Sequence, residues 1–243
     1  MDNVFHIDYI DLCKRVDDEV VDLIIIDPPY LTTNEAWDKN EVVTENLAKE
    51  LFRIAKPSCS LYCWCGIGEK SQSLIRWFPI FSKLWKFKDL ITWKKQHGIG
   101  MRRGWLYTRE EIMWFVKDNK RFIWNKKFQY SNEKRSWTPA GAKNLSIYKR
   151  FTNVWVDVLE IDMGMSLKQC KEVRRYCGHI TPKPQKAIER IILAHTAEND
   201  IVFDCFVGSG TTAVAAKKLN RQFIVGDNDE SFIEFTNERL KEV

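Results

Sequence analysis

No apolar run in the 243 residues approaches the length of a membrane-spanning helix. The opening MDNVFHIDYIDLC is acidic and polar, with neither the basic start nor the apolar centre of a secretory signal. No internal repeat and no low-complexity linker is present, which excludes a solenoid and a generally disordered chain. Histidine is sparse, at His6, His97, His179 and His195 only. The seven cysteines are odd in number and share no spacing, so they read as reduced thiols of a cytoplasmic protein. Cys63 and Cys65 form a C-x-C pair inside an apolar stretch, but no second Cys or His cluster stands at ligand spacing, so no metal site is expected. Two nucleotide-loop signatures are missing as well. There is no G-x-G-x-x-G, and no Lys follows the glycines of the one glycine-rich turn, which excludes a Walker loop.

What is present is a core-forming composition: 44% hydrophobic and 13% aromatic residues, enough for one domain or one domain with an insertion. Charge is unevenly placed under a net +5. Residues 94–150 hold 15 Lys/Arg against 4 Asp/Glu (+11), and the remainder holds 23 against 29 (−6). Ten aromatics interleave with that basic stretch, among them Trp105, Trp124, Phe128, Tyr130 and Trp137. Basic groups mixed with stacking groups suit a polyanion that carries bases, although a solvated face has the same composition.

Short apolar runs alternate with helical patterns. Strands are expected at 5–10, 23–26, 60–65, 87–94, 111–116, 201–206 and 223–227, and helices at 41–56, 68–77, 185–196, 211–219 and 229–241, with Pro57 ending the first. Alternation of this kind, with uninterrupted apolar strands, predicts an α/β fold: a mostly parallel, Rossmann-like twisted sheet covered by helices on both faces. Regularity fails between 119 and 176, which suggests an inserted module.

Two strand tips carry chemistry. In "FDCFVGSGTT", Gly208 and Gly210 lie between a predicted strand and helix, where a tight turn and an exposed helix N-terminus favour an anionic or polar ligand. Asp227 ends the next strand, 19 residues after Gly208, the position from which an acid holds ribose hydroxyls. An ordinary strand–helix turn with a surface acid gives the same letters. In "DLIIIDPPY", a buried strand stops at Asp27, Pro28, Pro29 and Tyr30. The prolines stiffen the chain and donate nothing. That leaves a carbonyl and the Asp27 carboxylate as acceptors beside a flat ring, which suits a planar base bearing an –NH₂ group, although Pro-Pro also serves merely to end a strand.

Together, D-P-P-Y and F-x-G-S-G resemble the amino-group DNA methyltransferases that use S-adenosylmethionine. The catalytic motif precedes the cofactor loop by about 180 residues, an order that resembles the permuted β group of that family. "HITPKPQKAIERII" looks like the family's H-P-T-Q-K-P segment, and "HIDYIDLCKRV" resembles its usual opening G-D-x-x-x-x-L. Ile180, Pro182, Cys205, Asp227 and Ile7 depart from the pattern without removing a group that the chemistry needs. The resemblance leaves out 119–176.

It implies a methyltransferase core over 1–118 and 177–243 and a target-recognition region over 119–176. Asp27, Pro28, Pro29 and Tyr30 are implied as catalytic, with the reaction a methyl transfer to the N6 of a flipped-out adenine. Cofactor contacts are implied for Asp8, Asp27, Thr181, Lys183, Asp204, Phe206, Gly208, Ser209, Gly210, Thr211 and Asp227. Trp37 is expected at the mouth of the base pocket, and Arg102, Arg103, Lys126, Lys127, Lys134 and Arg135 on DNA phosphates. Double-stranded DNA is the expected partner, with a homodimer and a cognate restriction endonuclease as further expectations. Cytosine N4, an RNA base, or a non-catalytic binding module on the same fold are the alternatives. Asp rather than Ser before Pro-Pro-Tyr favours adenine, and the intact motifs favour an enzyme.

Overall fold

The computed structural model describes residues 2–32, 39–68, 70–99, 103, 105–134, 136, 146, 148–160, 165, 171 and 182–243. Trp37, Arg102, Arg135 and Thr181, and most of 161–181, lie outside the described residues.

The first strand, β1 (Asp2–His6), begins and ends earlier than the strand expected at 5–10. Asp8 accepts a hydrogen bond from the Ile10 amide (2.9 Å) and so caps a helix, α1 (Tyr9–Lys14), over residues expected to extend the strand. An Asp N-cap satisfies an otherwise orphaned helix donor and outweighs the β-propensity of Tyr9 and Ile10. The buried run VDLIII forms β2 (Val21–Ile26).

Thr44 caps α2 (Glu45–Ile54), which turns Leu47, Ala48, Leu51 and Ile54 inward. That helix does not run on to Pro57. Ala55 already adopts extended geometry and starts β3 (Ala55–Cys65). Val21 pairs with Ala55 and Leu23 with Ser60, so residues 56–59 bulge from the ladder, and Pro57, lacking an N–H, sits where none is required.

Then come α3 (Ser73–Ser82), β4 (Lys86–Ile99) and β5 (Tyr107–Val116). The expected helix at 68–77 begins later because Gln72 takes a left-handed conformation (φ +46°) and the Ser73 hydroxyl is tied to the Gly66 amide at 2.8 Å. A short 3-10 turn (Lys126–Gln129) leads to a separate ribbon of β6 (Tyr130–Lys134) and β7 (Tyr148–Arg150). β8 (Val154–Trp155) returns to the main sheet. The chain ends as α4 (Gln185–His195), β9 (Ile201–Asp204), α5 (Thr211–Lys218), β10 (Gln222–Asp227) and α6 (Glu230–Lys241).

The main sheet has eight strands in the order β1-β10-β9-β2-β3-β5-β4-β8. The first five run parallel, β5 is antiparallel to both β3 and β4, and β8 is parallel to β4. Successive side chains of β2 leave on opposite faces. Ile24 and Ile26 join a core with Leu47, Leu51, Trp77 and Phe81, whereas Leu23 and Ile25 join one with Ile188, Ile192, Val214 and Ile233. Helices therefore cover both faces, and every β2 residue is buried. Each such aliphatic side chain stabilises the fold by about 1.5–3 kcal/mol on burial.

From β9 the chain crosses by α5 toward β10, and from β2 it crosses by α2 toward β3 on the other side. The strand order thus reverses between β9 and β2, which are hydrogen-bonded neighbours (Leu23↔Val202, Ile24↔Phe203). A crevice opens beyond the carboxyl ends of strands at such a reversal.

Parts of the stretch 119–176 lie directly on this core. The Asn125 amide donates to Ala194 O (2.8 Å), the Asn125 side-chain amide donates to Leu193 O and Thr196 O (both 2.9 Å), and Trp155 is buried.

Candidate active site

Asp27 and the glycine loop leave adjacent parallel strands at the same end of the sheet, although about 180 residues separate them in the chain. The β2–β9 register sets Asp27 beside the residues that follow Asp204.

At the loop, both glycines have positive φ, +48° at Gly208 and +79° at Gly210. A Cβ on Gly210 would lie 2.6 Å from Thr236 Oγ1 on α6, so the position is closed to a side chain on steric grounds as well. The loop is fastened by acids. Asp227 Oδ2 accepts from the Gly208 amide (3.0 Å) and Oδ1 from the Asp229 amide (3.2 Å). Asp204 Oδ1 accepts from the Phe206 amide (3.0 Å) and Oδ2 from the Thr212 hydroxyl (2.6 Å). Burial pushes the Asp204 carboxyl up to about 7 and that of Asp227 up to about 6. Ser209 and Thr211 are buried with their hydroxyl oxygens 3.4 Å apart, and Arg239 donates to the Ser209 carbonyl.

Phe206 stacks on Tyr9 (centroids 5.2 Å apart). Asp8, exposed at the start of α1, stands at the same end, because the Ile7 amide donates to Asp227 O (2.9 Å). All described loop and strand-tip residues proposed for the cofactor, Lys183 included, are thereby gathered at one end of the sheet.

The Asp27 side is a charge cluster. Tyr30 donates its hydroxyl to Asp27 Oδ1 (2.8 Å), and Lys183, just ahead of α4, places Nζ 2.8 Å from Asp27 Oδ2. The same ammonium is 3.2 Å from Glu110 on β5 and 5.3 Å from the centre of the Tyr30 ring. Glu110 is held in turn by Lys95 of β4 at 2.8 Å. Burial and the charge of Glu110 raise the Asp27 carboxyl above its ordinary value, against the pull of Lys183 and Tyr30. Burial works against the Lys183 ammonium, but Asp27 and Glu110 outweigh it and hold the lysine charged. Burial alone would push the Glu110 carboxyl up; Lys183 and Lys95 overcome that and keep it low.

Tyr30 is fixed from behind by Trp77 at a ring separation of 5.9 Å, and its carbonyl accepts from Arg76 (3.3 Å). Glu41 ties Trp77 (2.8 Å) and Arg76 (2.9 Å) together. The result is an anchored carboxylate beside an aromatic plate, able to accept a proton-bearing nitrogen.

Glu110, Lys95 and Glu160 carry no local sequence signature. Glu110 is one of two adjacent acids at the polar start of β5 (YTREEIMWFV), and which of them faces Asp27 is visible only once the strand is placed.

The proposed nucleic-acid residues divide. Arg103 is exposed at the tip joining β4 and β5, which projects at the Asp27 end. Exposed Lys94, Arg109 and Trp105 (95% exposed) lie there too. Lys126 and Lys127 do not join the site. The turn that carries them packs by way of Asn125 against the end of α4, at the opposite end of the sheet. Lys134 closes the β6 edge of the ribbon beyond that turn. Among the described residues no group of His, Cys, Asp and Glu could hold a metal ion, and no helix is long and apolar enough to cross a membrane.

A sheet reversing between an acidic Pro-Pro-Tyr tip and an acid-fastened glycine loop defines a methyltransferase-type site. The family model described as DNA methylase matches residues 21–238, and the chain belongs to that family. It is 32% identical to the Type II methyltransferase M.HpaI of Haemophilus parainfluenzae, over 93% of this chain and 70% of that protein. The identity is also 32% to the Type II methyltransferase M1.MboII of Moraxella bovis, over 93% and 92%. Among solved structures, the M1.HpyAVI–SAM complex matches with a TM-score of 0.64 at 22% identity, covering 99% of each chain. The cytosine-N4-specific PvuII DNA methyltransferase matches with 0.73 at 15% identity, over 98% of this chain and 85% of that one. At these identities the two structures bear on the fold.

Proposed function

We propose that the chain transfers the methyl group of S-adenosylmethionine to the N6 amine of an adenine flipped out of double-stranded DNA. One observation carries the reading: the Asp27 tip and the Gly208–Gly210 turn leave neighbouring parallel strands at the same end of the sheet, at the strand-order reversal where a crevice is expected. Gly208 and Gly210 let the cofactor approach the backbone, with Phe206, Ser209 and Thr211 shaping the turn, and Asp227 keeps lone pairs toward the ribose beyond its two amide bonds. Asp8, Thr181, Lys183 and Asp204 complete the cofactor's surroundings.

The target amine is a poor nucleophile because its lone pair is shared with the ring. Asp27 and the Pro28 carbonyl accept its two N–H bonds and so favour a pyramidal nitrogen. Positive charge grows on that nitrogen during transfer, and the two acceptors stabilise it more there than in the ground state. Tyr30, braced by Trp77, stacks on the extruded base. Holding nitrogen, methyl and sulfur in line is the remaining contribution.

Phosphate contacts are assigned to the β4–β5 tip through Lys94, Arg103 and Arg109; on sequence grounds Arg102 is assigned to phosphate and Trp37 to the mouth of the base pocket. Lys126, Lys127, Lys134 and Arg135 serve a duplex that wraps toward the ribbon, and residues 119–176 carry target recognition. A homodimer, a cytoplasmic location and a cognate restriction endonuclease belong to the same reading, the last because Type II methyltransferases are its relatives.

The test is incubation with duplex DNA and labelled S-adenosylmethionine, followed by mass analysis of nucleosides. N6-methyladenine is expected. N4-methylcytosine alone, or transfer to RNA but not DNA, overturns the proposal. Light scattering checks the dimer.

A further inference from the structure

Glu110 belongs to neither motif, yet it is the second anion on the lysine that grips the catalytic carboxylate. We infer that Glu110 is a positioning residue for the methyl transfer: it gives Lys183 an alternative partner, so that Asp27 can release the ammonium and accept the target amine. The inference rests on the reading of Asp27 as the acceptor of that amine.

Both Asp27 oxygens are taken, Oδ1 by the Tyr30 hydroxyl at 2.8 Å and Oδ2 by Lys183 at 2.8 Å. Each oxygen keeps a second lone pair, but an incoming N–H that draws on it competes with the donor already there and loosens its hold. Lys183 is buried (its side chain is 9% exposed), so water cannot receive the displaced ammonium at low cost. Glu110 Oε2 lies 3.2 Å from the same Nζ, but it is a buried oxygen without an aligned hydrogen bond. An acceptor that is close and unsatisfied is the place to which the ammonium re-aims. Its other oxygen is pinned by Lys95 (2.8 Å), itself 4.0 Å from Glu160, which also accepts from the His97 amide (3.1 Å). The charges alternate from Asp27 out to Lys95 and Glu160, so sliding Lys183 from one carboxylate to the other leaves every ion with a partner. The charged and titratable groups facing Asp27 are Tyr30 from its own turn, Lys183 ahead of α4, Glu110 from β5, Asp204 from the β9 tip, and the buried thiols of Cys63 and Cys65 on β3, which burial keeps protonated.

The test compares Glu110→Gln and Lys95→Gln with the unaltered chain, measuring kcat, the KM for S-adenosylmethionine and the pH profile of kcat. Among the described residues, Glu110→Gln leaves Lys183 Asp27 as its one anionic partner. Its kcat should fall at least tenfold and the acidic limb of its profile move to lower pH, with KM changed less than threefold. Lys95→Gln strengthens the pull of Glu110 on Lys183, so its acidic limb should move to higher pH. Glu110→Asp should recover part of the rate. A packing role alone moves both limbs the same way or neither, and a through-space charge effect alone moves them oppositely while leaving the plateau kcat of Glu110→Gln within twofold of the parent. Folded Glu110→Gln with plateau kcat within twofold of the parent overturns the inference whatever its limb does, as do limbs shifting together. If Glu110→Gln does not fold, the Lys95→Gln limb decides, and an unmoved or lowered limb overturns it. Absence of methyl transfer by the unaltered chain would instead overturn the function itself.

Discussion

Replacing Gly210 by Ala tests how the cofactor loop is built, and the structure separates the cost into two parts. The first is conformational: φ is +79°, and an alanine held there costs about 1–2 kcal/mol. The second is steric: the new methyl would lie 2.6 Å from Thr236 Oγ1, 2.9 Å from its Cγ2 and 3.0 Å from its Cβ, an overpacking that costs about 1–3 kcal/mol. Gly210→Ala should therefore destabilise by about 2–5 kcal/mol in urea unfolding followed by circular dichroism. Thr236→Ala alone loses the hydrogen bond its hydroxyl donates to Gly208 O (3.3 Å) and should cost about 1–3 kcal/mol. In the double variant two of the three close atoms are gone. The pair should be less destabilised than the sum of the singles by about 1–2 kcal/mol, while the conformational part persists. Additivity within about 0.5 kcal/mol would refute the steric account, because contacting residues are expected to couple. Calorimetric titration with S-adenosylmethionine should show weakened binding in Gly210→Ala, partly restored in the pair.

Asp27→Ala should abolish methyl transfer in a labelled-methyl assay while cofactor affinity measured by calorimetry changes less than about threefold; comparable turnover by the variant would remove Asp27 from the chemistry. Asp204 and Asp227 bind protons in the folded state up to pH values of about 7 and about 6, against 3.8 ordinarily, so between these limits the folded state holds more protons than the unfolded chain. Their contribution to stability is full at acidic pH and is lost as pH rises from about 4 to about 7. Asp204→Asn should flatten that part of the pH–stability curve, with a ceiling of about 4 kcal/mol at about 1.4 kcal/mol per pH unit; an unchanged slope in urea melts across this range argues against a proton on Asp204. Arg103→Ala should weaken DNA binding uniformly across sequences and reduce its salt dependence in fluorescence anisotropy, whereas Lys126→Ala, at the far end of the sheet, should change neither for a short duplex.

How much of this was legible beforehand follows from where each signal resides. Both strand tips were readable because their chemistry is local: Asp27 with two prolines and a tyrosine, and two glycines with an acid one crossover later. Helix spacing and apolar runs likewise placed the elements of the parallel half, since each reports burial at its own position. The misread boundaries also have local causes. Asp8 caps a helix where Tyr9 and Ile10 look like strand, and Ala55 leaves the helix before Pro57 is reached. The antiparallel entry of β5, and with it the approach of Glu110 to Asp27, depends on which strand edge is still open when the hairpin docks. That is a property of the assembled sheet. The placement of Lys126 and Lys127 at the end of the sheet away from Asp27 is of the same kind, fixed by Asn125 reaching Leu193 and Thr196 about seventy residues away.

The reversal between β9 and β2 explains why so wide a separation in sequence does not matter. A parallel strand delivers its last residue to the same end of the sheet wherever it falls in the chain. Two motifs meet if their strands are neighbours, and here Ile24 faces Phe203 directly. Crossovers by α2 and α5 then lead away on opposite sides of the sheet, the arrangement that opens a crevice above such a junction. Joining the chain in the other order, with the glycine loop first and Asp27 last, would give the same crevice provided the β2–β9 pairing survived. A circular permutant opened between β5 and the 3-10 turn, with residues 243 and 1 joined by a linker, tests this: retained methyl transfer is expected, and its loss in a folded permutant would mean that chain order, as well as strand adjacency, builds the site.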